Sequence, residues 1–214
     1  MTAHRSLIRR ATAVAATATA ALVLVACGAG DESSPGHGDH GGTSSPSASA
    51  SADRGTEQGG RNAADVSFAK GMIPHHRQAV EMAGLAATRA ESAEVKKLAG
   101  EIKKAQDPEI NTLSGWLRSW GEDVPAESQG AEHAGHSMSG MMTSGEMDKL
   151  EKSSGKAFDT AFLELMIKHH EGAVEMARTE QSDGRYAPAK DMAGAIVTSQ
   201  SAEISRMNKL LGRG

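Results

Sequence analysis

Apolar residues, joined by one His each, recur along two stretches of the chain at alternating spacings of four and three: Phe68, Met72, His75, Ala79 and Met82, then Phe162, Met166, His169, Ala173 and Met176. That period is the stripe of an amphipathic helix. A second seam runs Leu98, Ile102, Gln106, Glu109, Leu113, Trp116, Trp120. The pattern predicts four long helices near 63–90, 93–120, 155–181 and 187–211, broken at Glu91-Ser92 and at Ser182-Asp183-Gly184. Breaks this short make each pair of helices antiparallel neighbours. Two hairpins with one apolar stripe each can bury it only against one another, so the expected fold is all-α, a four-helix bundle of about 120 packed residues. The connection 121–154 should carry a short helix from Ser144 that ends before Gly155. Pro74 and Pro108 fall inside the first and second helices, where each removes a backbone donor and should kink or loosen the turn.

The two halves are copies. At an offset of 94, Asp65–Ala83 aligns with Asp159–Ala177, with 11 of 19 positions identical. The same offset aligns Leu98–Leu117 with Met192–Leu211, so Gln106, Glu109 and Ile110 recur as Gln200, Glu203 and Ile204. On a helical wheel His75 and His76 border the buried stripe, as do His169 and His170, whereas Glu81 and its counterpart Glu175 face solvent. Folding the first hairpin about residue 90 sets His75 and His76 level with Gln106 and places Glu109 opposite Met72. The second does the same with His169, His170, Gln200, Glu203 and Met166. One layer should therefore collect four His, two Glu, two Gln and two Met. Unpartnered burial would cost about 1–3 kcal/mol for each polar group, so they must pair with each other, with water or with a metal. A hydrogen-bond network that fixes the pairing of the hairpins and a metal site of imidazole and carboxylate on facing helices both fit. A nucleophilic hydrolase does not, because no Ser elbow and no seam Lys is present.

Composition sharpens the picture at the ends. Residues 1–26 join a basic start (Arg5, Arg9, Arg10) to an apolar run, as a secretory signal does, and Leu24-Val25-Ala26-Cys27 resembles the lipobox of bacterial lipoproteins. Cys27, the only cysteine, would carry the lipid and hold the protein at the outer face of a bacterial membrane or in the periplasm. It also excludes an internal disulfide and any multi-thiolate site. Residues 27–61 are rich in Gly, Ser and Ala and should form a disordered tether. The remaining 62–214 make the duplicated domain: hairpin one at 63–120, the loop at 121–154 and hairpin two at 155–212. Loss of the signal takes the formal net charge from −4 to about −7, which argues against a nucleic-acid partner.

Methionine and histidine stand out, with 11 and 9 residues respectively. The loop supplies His133, His136, Met138, Met141, Met142 and Met147 in a Gly/Ser setting, and the tether supplies His37 and His40. Thioether with imidazole is the donor set of Cu(I) and, through the imidazole, of Cu(II), so this loop is expected to be an exposed secondary metal site. A plain flexible linker remains the alternative.

The doubled Met-Ile-x-His-His-x-x-Ala-Val-Glu-Met-Ala motif (Met72–Ala83, Met166–Ala177), the lead Phe158-Asp159-x-x-Phe162 and the repeated Gln-x-x-Glu-Ile motif resemble the bacterial family called domain of unknown function 305. The resemblance implies a ferritin-like helical bundle in an extracytoplasmic protein, and copper as the leading metal, with another divalent ion as the alternative. The Glu-x-x-His pattern of di-iron ferritins is absent, since Thr112 and Arg206 stand three residues after Glu109 and Glu203. The expected function is copper binding, buffering or transfer by a membrane-anchored lipoprotein. The other readings are a structural or partner-binding lipoprotein with a buried His/Glu network, and a ferritin-like metal-dependent redox enzyme.

Overall fold

The computed structural model describes residues 60–126 and 139–213. Cys27, His37, His40, His133, His136 and Met138 lie outside them. The described residues form five helices: α1 (Ala63–Arg89), α2 (Ala93–Ser119), α3 (Ser144–Lys152), α4 (Gly155–Asp183) and α5 (Ala187–Leu210). Local chemistry accounts for the ends. Asn62 and Asp65 form a capping box at the start of α1, Thr143 and Glu146 form another at α3, and the Ser92 hydroxyl caps α2. α1 and α2 each continue through their proline as a single helix, so neither Pro74 nor Pro108 breaks its element.

α1 packs on α2, α4 on α5, and α1 on α4, while α3 touches α1 and α4. Two apolar clusters result. The first gathers Ala79, Met82, Leu98, Ile102, Leu150, Phe158, Phe162 and Met166. The second gathers Phe68, Met72, Ile73, Leu113, Leu117, Ala173, Ala193 and Ile196. The early part of α1 thus meets the late part of α4, which makes the two helices antiparallel, and the His pairs fall between the clusters.

The recurring Asp at the head of each copy has a structural role. Asp159 accepts the N–H groups of Glu91 (3.1 Å) and Ser92 (2.8 Å), capping the turn between α1 and α2. Asp65 accepts those of Arg185 (3.0 Å) and Tyr186 (2.9 Å), capping the turn between α4 and α5. Each copy's Asp therefore satisfies backbone donors in the other's turn. Beside Asp65 lies Glu180, 1% exposed, whose carboxyl oxygens meet no N–H or O–H donor. Burial, then the neighbouring Asp65, pushes the Glu180 pKa up to about 8, so at neutral pH it is mainly the protonated acid. No helix among the described residues is long and apolar enough to cross a membrane.

Candidate metal centre

α1 and α4 carry the four histidines on the faces they turn toward each other, and all four are fully buried. The His75 and His169 rings lie with centroids 3.8 Å apart, tilted by 43°, and His170 is 6.4 Å from His169. The two pairs, 94 residues apart in sequence, are thus brought into one layer. From outside, Glu109 of α2 holds His76, with Nε2 to Oε2 at 2.7 Å, and Glu203 of α5 holds His170 at the same distance. The expected register placed Glu109 opposite Met72. Its carboxylate instead reaches His76, about one turn further along, because the turn that joins the helices is centred beyond residue 90 and both side chains are long.

A carboxylate only accepts, so Nε2 carries the proton in both pairs, and in the neutral ring Nδ1 then presents its lone pair. His75 donates Nε2–H to the Ser139 carbonyl at 3.2 Å. Burial, followed by the neighbouring His76, pushes the His75 pKa down to about 3. Burial and the adjacent His75 drive that of His169 well below its ordinary value. Both rings are neutral at pH 7 and therefore free to act as donors to an ion.

Nine buried side-chain atoms among the described residues lack a hydrogen-bond partner, and seven belong to this layer: Nδ1 of all four histidines, His169 Nε2, and Oε1 of Gln106 and Gln200. The other two are the oxygens of Glu180. Orphaned polar atoms are rare in folded proteins and tend to mark ion or water positions. Met72 and Met166, both fully buried, do not lie side by side. Met72 belongs to one apolar cluster and Met166 to the other, so they border the layer from opposite sides. As the rings stand, no three His, Cys, Asp or Glu side chains among the described residues converge in a way that would hold an ion. The layer is a set of mutually tilted imidazoles with unpartnered nitrogens.

The loop departs from expectation at Met142. It is 2% exposed and packs in the first apolar cluster, with Met147 partly buried against the same cluster. Gln78 fixes its backbone from both sides, which drives the side chain inward. Met142 is therefore a core residue rather than an exposed donor, while Met141 is half-buried. Sequence reasoning missed Ser139, Gln78, Gly172 and Glu180. Two of them had a signal: Gln78 and Gly172 are related by the offset of 94 yet differ, and a glycine inside a long helix is unfavourable without a reason.

Residues 65–211 match the model of the family described as domain of unknown function (DUF305). The chain belongs to this family. A DUF305 protein from Streptomyces coelicolor, described as a presumed secreted protein, is 36% identical, covering 70% of this chain and 92% of its own, with a TM-score of 0.62. A DUF305 fragment from Deinococcus radiodurans is 28% identical over 72% of this chain and 99% of its own, with a TM-score of 0.64. CopM in its Cu(II)-bound form is 37% identical, covering 68% and 94%, with a TM-score of 0.60. In its Cu(I)-bound form CopM aligns at 33% identity over the same shares, with a TM-score of 0.57. No curated protein matches the chain.

Proposed function

We propose that this DUF305 protein is an extracytoplasmic, lipid-anchored copper-binding protein that buffers or passes on the ion, built as a ferritin-like four-helix bundle from two duplicated hairpins. The observation that carries the reading is the set of unpartnered imidazole nitrogens gathered between two apolar clusters. Nδ1 of His75, His76, His169 and His170 would supply the donors, with the Met72 and Met166 thioethers approaching from either side. Glu109 and Glu203 would act from behind, fixing the tautomer and orientation of His76 and His170 as carboxylates do in other metal–histidine sites. Imidazole with thioether suits copper in both oxidation states better than zinc or iron. CopM, with structures in Cu(I)- and Cu(II)-bound forms, supports the choice, and the presumed secretion of the Streptomyces relative supports an extracytoplasmic setting. Met141, with His133, His136 and Met138 beside it in sequence, would form the secondary site, and His37 and His40 a further pair. Lipid on Cys27 would tether the whole to the membrane.

Copper titration of the mature chain tests this. Wild type should bind Cu(I) under reducing conditions, and the His75→Ala/His169→Ala double variant should lose the tightest site. Equal binding by both would place the ion elsewhere. A second reading, a buried network that only specifies helix pairing, draws on the close, tilted contact of the His75 and His169 rings. It predicts no copper binding to this layer and a loss of stability alone on mutation.

A further inference from the structure

The segment Ser139–Met142, which leads into α3, crosses from α4 to α1 against the His layer. The two helices hold it by unlike means at equivalent positions. Gln78 on α1 and Gly172 on α4 are related by the same offset of 94 that relates the His pairs. The Gln78 amide donates to the Met142 carbonyl at 3.0 Å and accepts the Met142 N–H at 2.7 Å, pairing with the backbone from both sides. Gly172 works by having no side chain. A Cβ there would overlap the Ser139 carbonyl and lie 2.8 Å from Gly140 Cα. Gly140 in turn has φ +81°, and a Cβ on it would lie 2.7 Å from the Lys168 carbonyl oxygen and 2.9 Å from that of His169. Two glycines thus let the backbones of strap and helix touch. The Ser139 hydroxyl donates to Glu175 at 2.7 Å, and the Ser139 carbonyl accepts from His75.

We propose that Ser139–Met142 is a latch over the His layer, closed on the His75 ring and the His169 backbone at rest and released when an ion enters or leaves. The nature of the cargo rests on the metal reading above, whereas the closure rests on the contacts alone. While His75 donates Nε2–H to Ser139, that nitrogen is occupied and the ring is held against rotation. Release frees Nε2 and permits the reorientation that a coordination shell requires. Four hydrogen bonds and one buried side chain hold the strap, few enough to open locally while the long helices stay folded. The two His pairs are treated unequally: the strap hydrogen-bonds the His75 ring and meets His169 only at its backbone carbonyl.

Gly172→Ala expels the strap from α4 while favouring the helix, and Gln78→Ala releases it from α1. The metal-free mature chain is footprinted with diethyl pyrocarbonate, mapping each histidine by mass spectrometry. Labelling of His75 and His169 should rise about tenfold in both variants with unchanged helical circular dichroism, in step with faster exchange of the Met142 amide. His76 and His170, screened by Glu109 and Glu203, should not change. Ag(I) uptake by stopped flow should accelerate to match. If His75 and His169 label as fast in wild type as in either variant, the strap is no barrier and the latch is refuted, whatever the metal data show. If the footprint changes as expected while wild type takes up neither Ag(I) nor copper, the latch stands and the metal reading falls.

Discussion

Glu180 gives the most quantitative test. Replacing it by Gln keeps its size and lets an amide N–H face Asp65, but removes the ability to ionise. In the folded state its pKa is raised from 4.5 to about 8. Between those values the folded chain keeps a proton that the unfolded chain releases, so stability falls as pH rises through the window and levels off above the folded value. The contribution is fully present below pH 4.5. At about 1.4 kcal/mol per unit, the difference between Glu180→Gln and wild type should widen by about 4 kcal/mol between pH 5 and pH 9. Relaxation around the new charge trims this to on the order of 2–4 kcal/mol. Urea unfolding of both metal-free proteins at half-unit pH steps measures it, and taking the difference cancels the titrating groups that do not touch Glu180. A difference that stays flat from pH 5 to pH 9 would refute the reading that Glu180 is a buried neutral acid.

Other consequences can be checked alongside. In the Glu180→Gln background, stability should fall as pH drops below 6.5, because His75 and His169 stay neutral in the fold and protonate when unfolded; at pH 5 each costs about 2 kcal/mol relative to neutral pH, read from urea midpoints. Glu109→Gln and Glu203→Gln should weaken copper affinity about 10–100-fold in chelator competition with the fold intact, and unchanged affinity would reduce the carboxylates to a packing role. Asp159→Ala removes the acceptor of two backbone donors at the turn between α1 and α2 and should cost on the order of 2–4 kcal/mol by urea unfolding, whereas a change within ±0.5 kcal/mol would mean that water replaces it fully.

The helices were legible because each carries a period of 3.6 bounded by short breaks, with side-chain caps at α1 and α2: the predicted starts at 63, 93, 155 and 187 coincide with those of α1, α2, α4 and α5. The His layer was legible for a related reason, since Gln106 and Glu109 interrupt a seam that is otherwise apolar and do so twice. What sequence could not supply was the depth of each side chain along the helix axis. Glu109 was placed one turn from where its carboxylate reaches, and Met72 and Met166, expected within the His layer itself, fell to opposite clusters because α1 and α4 run antiparallel. Met142 was misread since its burial depends on a clamp by Gln78, 64 residues away, which no local pattern reveals. The proximity of Asp65 and Glu180 is of the same non-local kind.

The crossed caps of Asp65 and Asp159 bear on how the protein is assembled. Neither turn is complete within its own half, so either half alone is expected to fold poorly, as a subunit of an obligate dimer does. The covalent connection holds the partner at an effective concentration on the order of millimolar, and folding is thereby freed from dependence on protein concentration. Cutting the chain between the two halves would restore that dependence: the two fragments should reassemble as a bimolecular complex whose melting temperature rises with concentration.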